Sequence, residues 1–155
     1  MITINLVCVG NLKEKFWQEA SKEYEKRLSK FCKLNIIELA EQNKYENIEK
    51  IKEIEGQNIL KTIDEKGGKT FLLAIKGKEY SSEEFAFAIE NIAMQHSTIN
   101  FVIGGSYGTS EMVNEKLTNK ISFGKATYPH NLARIILLEQ IYRAFMLNGG
   151  GKYHK

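Results

Sequence analysis

Apolar positions along this chain follow two rhythms that take turns. Thr3 to Val9 (TINLVCV) is β-rich and ends at Gly10. From 13 to 31 the apolar side chains Phe16, Ala20, Tyr24, Leu28 and Phe31 recur at helical spacing. KLNIIELA (33–40) reads as a second strand. The charged stretch 47–66 carries Ile48, Ile51, Ile54, Ile59 and Ile63 toward one side of a helix that Gly67-Gly68 stops. TFLLAI (70–75) is a third strand, followed by the polar KGK. Ser81 and Glu84 stand at capping-box spacing and open a helix through SSEEFAFAIENIAM. STINFVI (97–103) is the next strand, closed by GGSYG. A short helix around 110–117, a short strand KISF (120–123) and a last helix over 131–147 complete the chain. Strands alternating with helices predict an α/β fold, with a mostly parallel sheet and helices on both faces.

Composition changes little in that picture. At 155 residues, 43% hydrophobic and 26% charged, the chain fits one domain spanning 1–155 with a real core. Charge is more informative in its distribution. The net charge of +3 hides basic ends, +3 over residues 1–33 and +6 over 116–155, around an acidic middle of −6. That asymmetry favours an anionic partner met by the termini, against the plainer alternative of an unevenly charged surface. Cys8 and Cys32 form no CxxC pattern and read as reduced thiols of a cytoplasmic protein. The first ten residues have no basic leader pattern, and no apolar run is long enough to predict a membrane span.

Ligands of open α/β sheets bind at the carboxyl ends of strands. Three such ends carry unusual residues: LAIKG (73–77), IGGSYG (103–108) and FGKATYP (123–129). GGSYG has neither dinucleotide nor P-loop spacing, so alone it is a turn. Pro129, the only proline, suits a helix start, where its missing N–H costs nothing. That explains the proline but not the loop before it. His96, His130 and His154 with two separated cysteines give no zinc spacing, and no metal is expected. The last helix is apolar on more than one face, which suits a central core helix or one shared with a second copy. Glu139 and Arg143 stand at the favourable i, i+4 order for an ion pair.

VIGGSYG, ISFGKATYPHNLARIILLEQIYRAF and the terminal YHK, with EYEKRL (23–28) and LLAIKGKEYSSEEFA (72–86), resemble the bacterial ribosomal RNA large-subunit methyltransferase H family. The resemblance runs through the whole chain in order. It implies the SPOUT fold with a C-terminal trefoil knot, a homodimer, and S-adenosylmethionine as methyl donor. The implied substrate is a pseudouridine in helix 69 of 23S rRNA, methylated at N3 on assembled ribosomes. By position, Leu73, Gly104, Phe123, Gly124, Lys125, Ala126, Thr127 and Tyr128 would hold the donor. Tyr153 and His154 would assist catalysis, and Arg134, Arg143, Lys152 and Lys155 are candidates for RNA phosphate contacts. Relatives more often carry serine, methionine and phenylalanine where Gly124, Ala126 and Tyr128 stand. Apart from the resemblance, the residues also admit a flavodoxin-type nucleotide-binding module or a non-catalytic RNA-binding protein.

Overall fold

The computed structural model describes residues 1–149. Tyr153, His154, Lys152 and Lys155 lie outside the described residues. The elements run β1 (Thr3–Val9), α1 (Lys15–Leu28), β2 (Lys33–Leu39), α2 (Ile48–Lys66), β3 (Lys69–Glu79), α3 (Ser82–Gln95), β4 (Thr98–Ile103), α4 (Glu111–Lys116), β5 (Lys120–Ser122) and α5 (His130–Asn148). The five strands form one sheet in the order β2-β1-β4-β3-β5, parallel at every pairing.

Side-chain alternation divides the core in two. On one face Ile4, Leu6 and Cys8 of β1 join Ile99, Phe101 and Ile103 of β4 beneath α1, α3 and α5. On the other, Val7, Val9 and Val102 meet Ile59 and Ile63 of α2 and Val113 of α4. No residue of α5 is exposed before Asn148. Leu137, Leu138 and Ile141 are wholly buried, each stabilising the fold by about 1.5–3 kcal/mol. The helix that looked apolar all round is thus central, packed against α1 and α3. No helix among the described residues is long and apolar enough to cross a membrane.

The second face also holds a polar ladder. The Asn35 amide donates to Asn5 Oδ1 at 2.9 Å, the Asn5 amide to Asn100 Oδ1 at 2.8 Å, and the Asn100 amide to Thr70 Oγ1 at 3.1 Å and the Gly67 carbonyl at 2.7 Å. These residues are register partners across β2, β1, β4 and β3. Asn5 and Asn100 are buried, so the ladder satisfies amides that would otherwise be costly.

The expected capping box is present: Ser81 Oγ accepts from the Glu84 amide at 3.0 Å and Glu84 Oε1 accepts from the Ser81 amide at 3.1 Å. One strand departs from the expectation. β3 does not stop at Ile75 but continues to Glu79, because it meets β5 twice. Leu73 and Lys78 both pair with Ile121, and residues 74–77 bulge between them. Gly77 makes this closure possible, since a Cβ there would stand 2.7 Å from the Ile121 carbonyl carbon.

Candidate functional site

The carboxyl ends of β3, β4 and β5 and the start of α5 enclose a cavity of about 1140 Å3. The three unusual strand ends of the sequence therefore meet in one place. Leu73 to Lys76 form one wall, Ile103 to Ser106 the next, and Phe123, Gly124 and Ala126 to His130 the third.

Each wall is held by short polar links. Ser122, buried at the end of β5, donates its hydroxyl hydrogen to the Ile75 carbonyl at 2.8 Å and accepts the Gly124 amide at 3.1 Å. One side chain thus fastens the β3 bulge to the β5–α5 loop. Gly124 has φ +109, a conformation that side chains of L-residues rarely adopt. Glycine carries this conformation here without strain. On the β4 side the Gly108 amide donates to the Gly105 carbonyl at 3.0 Å, closing the glycine turn. Ser106 Oγ donates to Glu41 Oε1 at 2.8 Å and ties that turn to the segment after β2. Thr109 Oγ1 bonds Asn114 Oδ1 at 2.8 Å, and Lys120 Nζ bonds the Asn114 carbonyl at 2.6 Å.

Behind the glycine wall lies Glu55 of α2, which is buried. Its Oε2 accepts the Gln42 amide at 2.9 Å, while Oε1 has no partner and would stand 2.8 Å from a Cβ at Gly105. Burial pushes this carboxyl above its ordinary value; the Gln42 bond works against that shift and the Glu41 charge adds to it. The Cys8 and Cys32 thiols are both pushed up to about 11 by burial, so neither is a thiolate nucleophile near neutral pH.

The candidate residues separate clearly. Leu73, Gly104, Phe123, Gly124, Ala126, Thr127 and Tyr128 line the cavity. Lys125 is exposed and does not line it. Arg134 is not where an RNA phosphate contact would need it. It is 2% exposed, with Nη1 paired to Glu38 Oε2 at 2.8 Å and Nη2 donating to the Gly10 carbonyl at 3.3 Å. It joins α5 to the ends of β1 and β2 instead. Arg143 pairs with Glu139 at 2.8 Å, as the spacing predicted. His130, which in the sequence reads as a helix-entry residue more than a catalytic one, lines the cavity from the first turn of α5, and sequence reasoning missed the Glu41–Ser106 and Thr109–Asn114 links. Only proximity in the folded chain reveals those pairs.

A parallel α/β sheet with its cavity at the carboxyl edge is the architecture of small-molecule-binding α/β proteins. Residues 2–154 match the family model described as "Predicted SPOUT methyltransferase". The chain belongs to the ribosomal RNA large-subunit methyltransferase H family of SPOUT methyltransferases. It is 51% identical over 160 residues to the protein named ribosomal RNA large subunit methyltransferase H of Lactobacillus acidophilus, covering 99% of this chain and 100% of that one. The Lactiplantibacillus plantarum protein of that name is 46% identical over the same coverage. A Legionella pneumophila methyltransferase, Lpg2936, solved with its cofactor SAM bound, superposes with a TM-score of 0.47. It shares 13% identity over 92% of this chain and 66% of that one, too distant to bear on the ligand.

Proposed function

We propose that this chain is an S-adenosylmethionine-dependent methyltransferase acting on N3 of a pseudouridine in helix 69 of 23S rRNA in the assembled ribosome. The observation that carries the reading is the convergence of Leu73, Gly104, Phe123, Gly124 and Ala126 to Tyr128 on one cavity in a chain whose residues 2–154 match the family. At about 1140 Å3 the cavity is of the size of small-molecule sites, ~300–1,000 Å3, which suits a methyl donor. Its walls of glycine, alanine and exposed loop backbone suit an adenosyl group held by main-chain contacts. The trefoil knot, the homodimer and a cytoplasmic location belong to the same proposal. The half-buried apolar residues Leu132, Ile136 and Met146 on α5 support a second copy lying against that helix.

When bound, the donor supplies an already activated methyl group. The protein's work is to hold the base in line, exclude water and let the N3 proton leave. As N3 takes that methyl group, its proton would leave to a base or to solvent. In this reading Tyr153 and His154 act at the target base and Lys152 and Lys155 meet RNA phosphate, while Arg143, paired with Glu139 on the α5 face that carries Leu132, Ile136 and Met146, belongs to the contact with the second copy instead of to RNA. Arg134 supports the site from behind.

The test is transfer of labelled methyl from S-adenosylmethionine to ribosomes from cells lacking this modification, followed by nucleoside mass analysis. A new methylpseudouridine in helix 69 is expected. Donor binding without label in that nucleoside would refute the substrate, and absence of donor binding would refute the chemistry.

A further inference from the structure

The bulge of residues 74–77 shapes one wall of the cavity and also carries side chains out to its edge. It costs β3 part of its pairing with β5, and bulges near sites commonly re-aim side chains. Here the bulge carries Ile75, 52% exposed, and Lys76, also exposed, to the edge of the cavity. Beside it, Lys125 stands exposed on the β5–α5 loop between Gly124 and Ala126, which line the cavity while Lys125 does not. Ser122 clips the two segments together through Ile75 and Gly124, so the lysines stand on one braced rim. Neither Lys76 nor Lys125 forms an ion pair or hydrogen bond among the described residues. The neighbouring Lys78 lies over the Tyr80 ring at 4.7 Å, and Lys120 is spent on the Asn114 carbonyl. Glu79 is the acid on the same strand, and it sits beyond the bulge, paired in register with Ser122.

We propose that this rim is an RNA-docking surface, in which Lys76 and Lys125 each meet a phosphate flanking the nucleotide that enters the cavity. Two cations without an ion pair on one rim of a concave site suit a polyanionic strand running along its mouth, and the exposed Ile75 beside them offers an apolar contact. The inference rests on the RNA reading above and replaces the phosphate contact that Arg134, being buried, does not make.

The test compares wild type with Lys76→Ala, Lys125→Ala, the double variant, and Lys61→Ala on the exposed side of α2 as control. Affinity for ribosomes carrying the unmethylated target is measured across a salt series, and S-adenosylmethionine affinity is measured separately. Each rim substitution should lower the slope of log K against log salt by about 0.7–0.9, roughly twice that in the double variant, with donor affinity unchanged. KM for ribosomes should rise in each rim variant and not in Lys61→Ala. Slopes equal to wild type, or a matching loss of donor binding, overturn the docking role while methyl transfer by the wild type still stands. A wild type that neither binds nor methylates ribosomes removes the RNA reading itself, and the rim contact with it.

Discussion

Replacing Asn100 by leucine tests the ladder that crosses the sheet. The substitution keeps approximate shape but strands the Asn5 amide, which loses its 2.8 Å acceptor inside a site where both residues are at most 1% exposed. The Gly67 carbonyl and Thr70 hydroxyl also lose a donor, but Gly67 is exposed and Thr70 half-buried, so water replaces it there. The cost therefore falls mainly on one buried amide, about 1–3 kcal/mol. Asn5→Leu should cost a similar amount, because it strands Asn100 Oδ1 in turn, while Asn35 is half-buried and reaches water. The double variant removes both partners at once, and paired removal is far less costly than leaving one partner behind. Its destabilisation should fall short of the sum of the singles by about 1–2 kcal/mol, within the range measured for contacting groups. The assay is equilibrium urea unfolding of the four proteins at one fixed protein concentration, followed by far-ultraviolet circular dichroism. Additivity within about 0.5 kcal/mol would refute the coupling. The consequence reaches the site. Asn100 precedes Gly104, and Thr70 precedes Leu73, on strands whose register the ladder pins. A slip of one residue would displace a strand end by about 3.3 Å and turn its side chains to the wrong face.

Two further predictions concern the cavity walls. Gly124→Ala places a Cβ on a backbone at φ +109, so strain on the order of 1–3 kcal/mol must appear as lost unfolding free energy, weaker S-adenosylmethionine binding, or both; a variant unchanged in both measurements contradicts the loop geometry. Glu55 has a carboxyl raised above 4.5 in the folded state, so the native protein holds its proton more firmly than the unfolded chain. Its contribution to stability is greatest below the unfolded value and is lost as pH rises through the folded one. Glu55→Gln should therefore flatten the fall in stability as pH rises above the ordinary carboxylate range in urea titrations, and parallel wild-type and variant profiles would rule the shift out.

Much of the architecture was legible because two periods dominate the chain. Ile4, Leu6 and Cys8 against Val7 and Val9 show the two-sided burial of a central parallel strand, and Ser81 with Glu84 marks a helix start through side-chain chemistry alone. The convergence of strand ends was readable from the general behaviour of α/β sheets. The β3 bulge was not, because KGK looks like a stop until β5 is placed beside it and Ile121 is seen pairing with both Leu73 and Lys78. Pairings such as Ser106 with Glu41, 65 residues apart, leave no local trace at all.

Arg134 was misjudged for a different reason, since its burial did leave a trace. Counting along α5, Leu137, Leu138 and Ile141 lie three, four and seven positions after it, which sets Arg134 on the face that carries the fully buried residues. Residue type argued for the surface and periodicity argued for the core. Periodicity prevailed because partners exist where the face leads: the Glu38 carboxylate and the Gly10 carbonyl sit at the ends of the two strands that α5 crosses. A guanidinium can be buried where its donors are met in fixed directions, and an isolated one cannot. The same contacts carry a functional consequence. The first turn of α5, with His130 and Ala133, is a wall of the cavity, and Arg134 anchors that turn to β1 and β2. A positive charge that seemed meant for RNA instead fixes the wall against which the donor and its target would meet.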